Sequence, residues 1–532
     1  MQGMILINLK NYSTHNIKND ILSGALVAVA LVPEAIAFSF IAGVSPIVGL
    51  YGAFIIGLIT SLLGGKPGMI SGATGSVAVV FVSLGLALRE LYPALDKESF
   101  SMLLLHYILI TSIVAGLIQM IIGMLKLGKF IRLVPQPALF GFVNGLAIVI
   151  ALAQLKFLAP KDLQSYDGWI DIIFASLSEN YMMYIIIFIT MATMYALPKI
   201  TKAVPAGLIA IITITVVVYF VGINTKVVGD MANLLDVPLP SFVMPDLSIF
   251  NLGSLSIILP SAIIVALVGL IESLLTLSVL DEMGGERGSG NQECVALGIG
   301  NMSSGLFGGM AGCAMIGQSV INFTSGGLGR LSSFTAAVLL IVLVVNFSDI
   351  ISIIPIAVLV GIMFMVSIGT FEFSSLMRLK YMPRSDAFVL IVVTIITIFE
   401  DLAVAVIAGI IISALVFAWK HAKISTKTSL DEDGKKIYML DGPLFFASIT
   451  SFNEQFDIEN DPQEVIIDFK NARVMDSSGT EAVDALTEKY ENAGKKLTLR
   501  HLSADCKKVL KKAGPFCTFE EDDPTYKVAV NV

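Results

Sequence analysis

The sequence predicts an α-helical polytopic membrane protein of 14 spans with a cytoplasmic α/β domain at its C-terminal end. Three observations predict it: a composition too apolar for water, fourteen apolar stretches within residues 1–420, and an abrupt change to charged sequence at 431–532. Of the 532 residues 55% are hydrophobic and 14% charged, with a mean hydropathy of +0.84. A soluble domain carries about 25% charged residues, so this surface belongs in lipid. Residues 431–532 hold 20 of the 42 acidic and 13 of the 34 basic side chains, which makes them a separate, solvated domain.

A span takes about 20 apolar residues, and fewer where a helix is interrupted inside protein. The expected spans are Ile21–Ile41, Val48–Leu63, Ile70–Leu88, Met102–Met124, Pro135–Leu155, Met182–Leu197 and Pro205–Val221. They continue with Ile257–Leu280, Val295–Leu306, Ala314–Phe323, Ser332–Asn346, Ile354–Ile368, Ala387–Phe399 and Leu402–Ala418. No small-residue cleavage site precedes the first, so a removed signal peptide is not expected.

Loop charge sets the orientation, because lysine and arginine gather on the cytoplasmic side. With the N-terminus inside, the inner loops carry Lys66, Lys126, Lys129, Arg132, Lys199, Lys202, Arg287, Arg330, Arg378, Lys380 and Arg384. The outer loops, although longer, carry Arg89, Lys97, Lys156, Lys161 and Lys226. Both termini are therefore expected in the cytoplasm, in a multi-pass protein of the plasma (inner) membrane. The tail alternates strand-like Ile437–Leu440 and Val465–Phe469, helical Gly479–Asn492, strand-like Leu497–His501 and a helix through Lys512, the pattern of a compact α/β domain.

Two acidic side chains stand in mid-span, where a carboxylate costs about 2.5–3.5 kcal/mol on insertion scales. Glu34 lies in Val32-Pro33-Glu34-Ala35, and Glu272 lies four residues before Thr276 on one helix face. A single such acid is as readily a structural hydrogen-bonding group; two in corresponding halves favour a pathway. The third and tenth spans open on glycine-marked runs, Gly72-Ala73-Thr74-Gly75-Ser76 and Gly308-Gly309-Met310-Ala311-Gly312-Cys313-Ala314-Met315-Ile316-Gly317-Gln318-Ser319. Small residues also serve plain helix packing. Matched interruptions in two halves instead mark a site where half-helix N-termini offer N–H groups to an anion. An anion about 6 Å from an ionised carboxylate is repelled by about 2.8 kcal/mol at an effective dielectric of 20. A proton or sodium ion on the acid removes that repulsion and couples anion to cation, which predicts symport.

The four cysteines, Cys294, Cys313, Cys506 and Cys517, have no paired spacing and the four histidines are scattered, so neither a zinc cluster nor a disulfide framework is expected. No cofactor beyond Na+ or H+ as coupling ion, no nucleic acid and no enzymatic constellation is expected. Asp476-Ser477-Ser478-Gly479 reads first as a helix N-cap, with a modified or partner-binding serine as the sharper alternative.

These residues resemble the SulP family of anion transporters along nearly the whole chain. The resemblance rests on Val32-Pro33-Glu34-Ala35-Ile36-Ala37-Phe38 through Ala42-Gly43-Val44-Ser45-Pro46 and Gly49-Leu50-Tyr51, on Glu272, on the glycine-rich start of the tenth span, and on a STAS-like Asp-Ser-Ser-Gly tail. It implies a transport domain at 1–420, two inverted seven-span repeats forming core and gate domains, and a STAS domain at 431–532, usually in a homodimer. It further implies a small inorganic anion, bicarbonate or sulfate, bound by backbone N–H groups where Thr74, Gly75 and Ser76 face Ala314, Met315 and Ile316. Glu272 and Thr276 match positions that hold Na+ in a bicarbonate-carrying member, although Met315 and Ile316 replace smaller side chains there. Many members carry glutamine where this chain has Glu34 and arginine where it has Gln318, a loss of positive charge that weakens the case for sulfate. The alternatives are a dicarboxylate or chloride carrier of the same family, a nucleobase permease of the same architecture, or a non-transporting sensor that signals through a protein partner of the tail.

Overall fold

The computed structural model describes residues 14–128, 135–158, 180–200, 206–231, 238–245, 252–399, 402–431, 434–502 and 518–519. Its contacts divide the chain into two units, Met1–Ile410 and Ile411–Val532, with the division inside the last apolar helix.

The apolar stretches fold into helices in the expected order: α1 Thr14–Ala42, α2 Pro46–Leu63, α3 Gly75–Leu91, α4 Lys97–Met124, α5 Gln136–Leu158, α6 Tyr181–Ile200 and α7 Ala206–Val221. The second half follows with α8 Leu252–Gly284, α9 Gly290–Leu306, α10 Ile316–Thr324, α11 Arg330–Asn346, α12 Ile356–Thr370, α13 Arg384–Phe399 and α14 Leu402–His421. Among the described residues seven helices are long and apolar enough to cross a bilayer unaided. The shorter ones fit because a broken helix is tolerated where its ends are buried in protein.

Two of the expected spans begin later than the hydropathy suggests. α3 starts at Gly75 and α10 at Ile316, because the residues before them are extended and pair as β1 Ser71–Gly72 and β2 Cys313–Ala314. The strands are antiparallel, with Ser71 opposite Ala314 and Gly72 opposite Cys313. A methyl group on Gly312 would lie 1.9 Å from the carbonyl oxygen of Gly72, so only glycine lets the two chains cross.

The helices pack as two groups. α4 lies along α9 and α1 along α11, while α2 packs on both α9 and α11 and α8 on α3 and α4. In the second group α5 packs on α12 and α13, and α12 on α6 and α7. The groups meet chiefly where α1 touches α12 and α7 and where α3 touches α5. Close approach in the first group depends on small residues: a Cβ on Gly116 of α4 would sit 2.5 Å from the Gly298 carbonyl of α9.

The second unit carries a five-stranded sheet in the order β3 Ser425–Leu430, β4 Lys436–Leu444, β5 Glu464–Val474, β6 Lys496–Arg500 and β7 Thr518–Phe519. β3 and β4 are antiparallel and the remaining pairs parallel. Helix α15, Ser477–Asn492, adds Val483, Leu486 and Tyr490 to a core with Tyr438, Leu444, Val465, Ile467 and Phe469. The sheet thus begins before residue 431, where the sequence places the domain boundary. β3 escapes the hydropathy pattern because it is an edge strand with a mostly exposed sequence, Ser-Thr-Lys-Thr-Ser-Leu. The helix expected through Lys512 lies outside the described residues, as do the loop charges Lys129, Arg132, Lys161 and Lys202.

Candidate functional site

Extended backbone within a membrane domain must find partners inside the protein. Around β2 those partners are side chains of the surrounding helices. Ser112 Oγ accepts from Ala311 N at 2.9 Å, Asn301 Oδ1 from Gly312 N at 2.9 Å, and Ser273 Oγ from Ala314 N at 3.0 Å. Asn301 also donates to the Gly312 carbonyl at 3.0 Å and to Gln119 at 2.8 Å. Before β1, Ile70 N donates to Ser319 Oγ at 3.0 Å, and Ile70 O accepts from Met315 N at 2.9 Å. The crossing is therefore a rigid frame that aims the N-termini of α3 and α10.

This frame brings Thr74, Gly75 and Ser76 to the same place as Ala314, Met315 and Ile316: Thr74 Oγ1 lies 3.1 Å from Cys313 Sγ and from Ser76 Oγ. It corrects the donor set, however. The N–H groups of Ala314 and Met315 are spent on Ser273 and Ile70, so at this end the donors left without intrahelical acceptors are Ile316, Gly317 and Gln318. On α3 the corresponding groups are those of Gly75, Ser76 and Val77.

The two intramembrane acids meet the half-helices crosswise. Glu272 of α8 accepts from Ser76 Oγ in the first turn of α3 and from Cys313 Sγ at 3.0 Å. Glu34 of α1, 9% exposed, accepts from Gln318 Nε2 in the first turn of α10, at 2.6 Å to Oε1. Each repeat thus contributes one acid to the other repeat's half-helix. Thr276, buried on α8, turns its hydroxyl back to the Glu272 carbonyl at 2.8 Å rather than to the carboxylate.

The two helix ends differ in access. A methyl on Gly75 would meet Phe38 of α1 at 2.9 Å and Ile150 of α5 at 3.1 Å, so side chains of both helix groups cover the α3 end. Beyond its own helix backbone and chain neighbours, no atom lies within 4 Å of a methyl on Gly317, and Ile316 is exposed. The α10 end is open. A cavity of about 350 Å³ lies elsewhere, between α5 and α12; apolar residues such as Leu152, Phe364 and Phe371 line it, and it offers an anion no charge.

Sequence reasoning missed several contributors. Ser112, Gln119, Ser273 and Asn301 read as ordinary small or polar helix residues and Cys313 as an unpaired cysteine ahead of the tenth span, and only the crossing reveals what they hold. Glu293 is fully buried, yet it lies before the expected ninth span and so resembled a loop acid. Its Oε2 accepts from Gly65 N at 2.7 Å, while Arg330 donates to Ser61 O at 3.0 Å and Gly64 O at 2.6 Å. Together they pin the turn that leads into β1.

In the second unit Asp476 caps α15: Oδ1 accepts from Gly479 N at 2.8 Å, and Oδ2 accepts from Phe446 N at 2.9 Å. Ser477 is exposed and Ser478 half-buried in the first turn. Midway along β5, opposite the last residue of β6, Asp468 accepts from Lys470 N at 2.9 Å and Arg500 at 3.1 Å, and contacts His501 Nδ1 at 2.8 Å. Burial raises the Asp468 pKa, but the Lys470 amide, His501 and Arg500 outweigh it and hold the carboxyl below its usual range.

Residues 17–394 match the model of the sulfate permease family and residues 426–529 that of the STAS domain. The chain is 40% identical over 506 residues to YbaR of Bacillus subtilis (strain 168), a sulfate transporter by name, covering 95% of this chain and 98% of that one. It is 27% identical over 485 residues to the bicarbonate transporter BicA of Picosynechococcus sp. (strain ATCC 27264 / PCC 7002 / PR-6), covering 85% of this chain and 83% of BicA. Its fold superimposes on the structure of SLC26A9 with a TM-score of 0.80 at 19% identity, over 95% of this chain and 87% of that one. With helices, crossing strands and C-terminal sheet in agreement, the chain is a multi-pass integral membrane protein and belongs to the sulfate permease (SulP) family, with a STAS domain at its C-terminal end.

Proposed function

We propose that this chain is a secondary active transporter that carries a small inorganic anion, bicarbonate or sulfate, by alternating access, in symport with Na+ or H+. The observation that carries the reading is the pair of facing half-helices with an acid bonded to the first turn of each. Their free N–H groups and positive dipole ends attract an anion without a lysine or arginine. Glu34 and Glu272, with Thr276 beside the latter, are where the accompanying cation acts, since an anion near two ionised acids is otherwise repelled. The sparse contact between the helix groups, through α1 and α3, is where one group would move against the other. The relatives named for sulfate and for bicarbonate support both anions as substrates. In the plasma membrane, the loop charges support both termini in the cytoplasm, and the family supports a homodimer whose STAS domain meets a protein partner at Asp476, Ser477 and Ser478.

Uptake of labelled bicarbonate and sulfate into liposomes holding the purified chain tests this. Thr74→Trp and Ala314→Trp fill the crossing and are expected to abolish uptake; unchanged transport in both variants would place the anion elsewhere.

A further inference from the structure

The cavity between α5 and α12 stands apart from the half-helix crossing. Ile148, Leu152 and Leu155 line it from the side of α5 opposite Ile150, the residue that reaches toward Gly75 of α3. Leu152, Leu155 and Ile368 of α12 are exposed, so the cavity is a groove open along the surface of this helix group. At about 350 Å³ it falls in the range of small-molecule sites, roughly 300–1,000 Å³. Among the described residues that line it the one polar side chain is Ser367, whose hydroxyl is spent on the Ala147 carbonyl at 2.7 Å. Hydrocarbon is therefore the occupant that leaves no polar group of its own unpaired.

One end of the groove is basic. α12 stops at Thr370 and a short helix, Phe373–Arg378, follows. Asn144 of α5 fixes it: Nδ2 donates to Ser375 Oγ at 2.8 Å and Oδ1 accepts from Glu372 N at 2.8 Å. The backbone keeps a helical course beyond Arg378, since Leu379 N donates to Ser375 O at 3.1 Å and Met382 N to Arg378 O at 2.9 Å. Phe373, Leu376 and Lys380 thus follow one another at i, i+3 and i+7 on one face. The first two line the groove and the third is exposed just beyond it. Arg378 and Arg384 are exposed as well, and among the described residues no carboxylate pairs with any of the three. The two acids of the same stretch are half-buried, Glu372 at the head of the short helix and Asp386 accepting from Ser385 at 3.0 Å, so the exposed charge is basic.

An apolar groove that ends at exposed basic residues matches a molecule with a long hydrocarbon chain and an anionic head. The loop charges assign this end to the cytoplasmic side, where anionic lipids attract lysine and arginine near the surface. We propose that the α5/α12 groove and Lys380 form a site for an anionic phospholipid of the cytoplasmic leaflet. One acyl chain lies between the helices, the phosphate meets the Lys380 ammonium, and Arg378 and Arg384 add to the positive field.

The test is native mass spectrometry of the full chain in mixed micelles holding equal amounts of phosphatidylglycerol and phosphatidylcholine. The unmodified chain is expected to retain phosphatidylglycerol about fivefold or more over phosphatidylcholine. Lys380→Gln is expected to lower that ratio about fivefold, the share of one basic residue near an anionic head. Ala151→Trp fills the groove and is expected to lose the retained lipid altogether; should it not remain monodisperse, Leu152→Trp at an exposed position of the same wall serves instead. Lys199→Gln removes a charge from another loop on the same side and is expected to leave the ratio unchanged, as is added glycerol 3-phosphate, a head without chains. Equal retention of the two lipids, a ratio untouched by Lys380→Gln and by the groove-filling variant, an equal loss in Lys199→Gln, or displacement by glycerol 3-phosphate would overturn the inference.

Discussion

Ser76, the second residue of α3, donates its hydroxyl to the carboxylate of Glu272 on α8, an acid from the opposite half of the chain. Cys313 donates to the same carboxylate at 3.0 Å, so Glu272 joins both arms of the crossing. If a cation acts there, Glu272→Gln keeps the shape and removes the charge. Gradient-driven accumulation is then expected to fall by about tenfold or more, while exchange of internal for external anion persists. Parallel measurement of net uptake and exchange checks this.

The crossing itself leaves no room for a side chain. Gly312→Ala places a methyl 1.9 Å from the Gly72 carbonyl, and backbone cannot rotate away as a side chain would. A cost of about 1–3 kcal/mol and loss of transport are expected. Gly317→Ala, five residues along the chain, meets no atom within 4 Å beyond its own helix backbone and chain neighbours and is expected to change stability by less than about 0.5 kcal/mol. Thermal unfolding of the two detergent-solubilised variants separates them.

In the STAS domain, Asp468 holds its charge below the usual carboxylate range through Lys470, His501 and Arg500. A depressed pKa stabilises the folded state fully above the unfolded value of about 3.9, and that contribution is lost as pH falls through the folded value. Hydrogen exchange in β5 and β6 is therefore expected to accelerate below about pH 4, and Asp468→Asn to remove this acid dependence while weakening the strands at neutral pH.

Asp476 satisfies two backbone N–H groups, those of Gly479 and Phe446. Asp476→Ala is expected to cost about 1 kcal/mol and to loosen the first turn of α15 around Ser477 and Ser478. Faster amide exchange at Gly479 and Thr480, with Leu486 and Tyr490 unchanged, is the readout.

Helix order was legible because each span is an apolar run long enough to register, and Glu34 and Glu272 stood out because a charge interrupts such a run. The starts of α3 and α10 were not legible. Ile70–Thr74 and Ala314–Met315 carry no charge to set them apart from the helices they precede, and only pairing between residues more than 200 positions apart makes them extended. Ser273 and Asn301 lie only 41 and 11 residues from the N–H groups they accept, but nothing short of the crossing brings those groups to them. Pairing across the repeats also explains why Gln318, visible in the sequence merely as a missing positive charge, is the partner of Glu34. Glu293 shows the opposite limit: next to a polar loop, an acid gives no sign in sequence that the fold will bury it.

The most direct test of the central claim is uptake of labelled bicarbonate and sulfate by the reconstituted chain, each with and without an inward Na+ or H+ gradient. The account predicts that one of these gradients drives accumulation of an anion above its outside concentration and that Glu272→Gln abolishes the drive. Uptake equally fast with neither gradient, or a gradient effect untouched by the substitution, would contradict it.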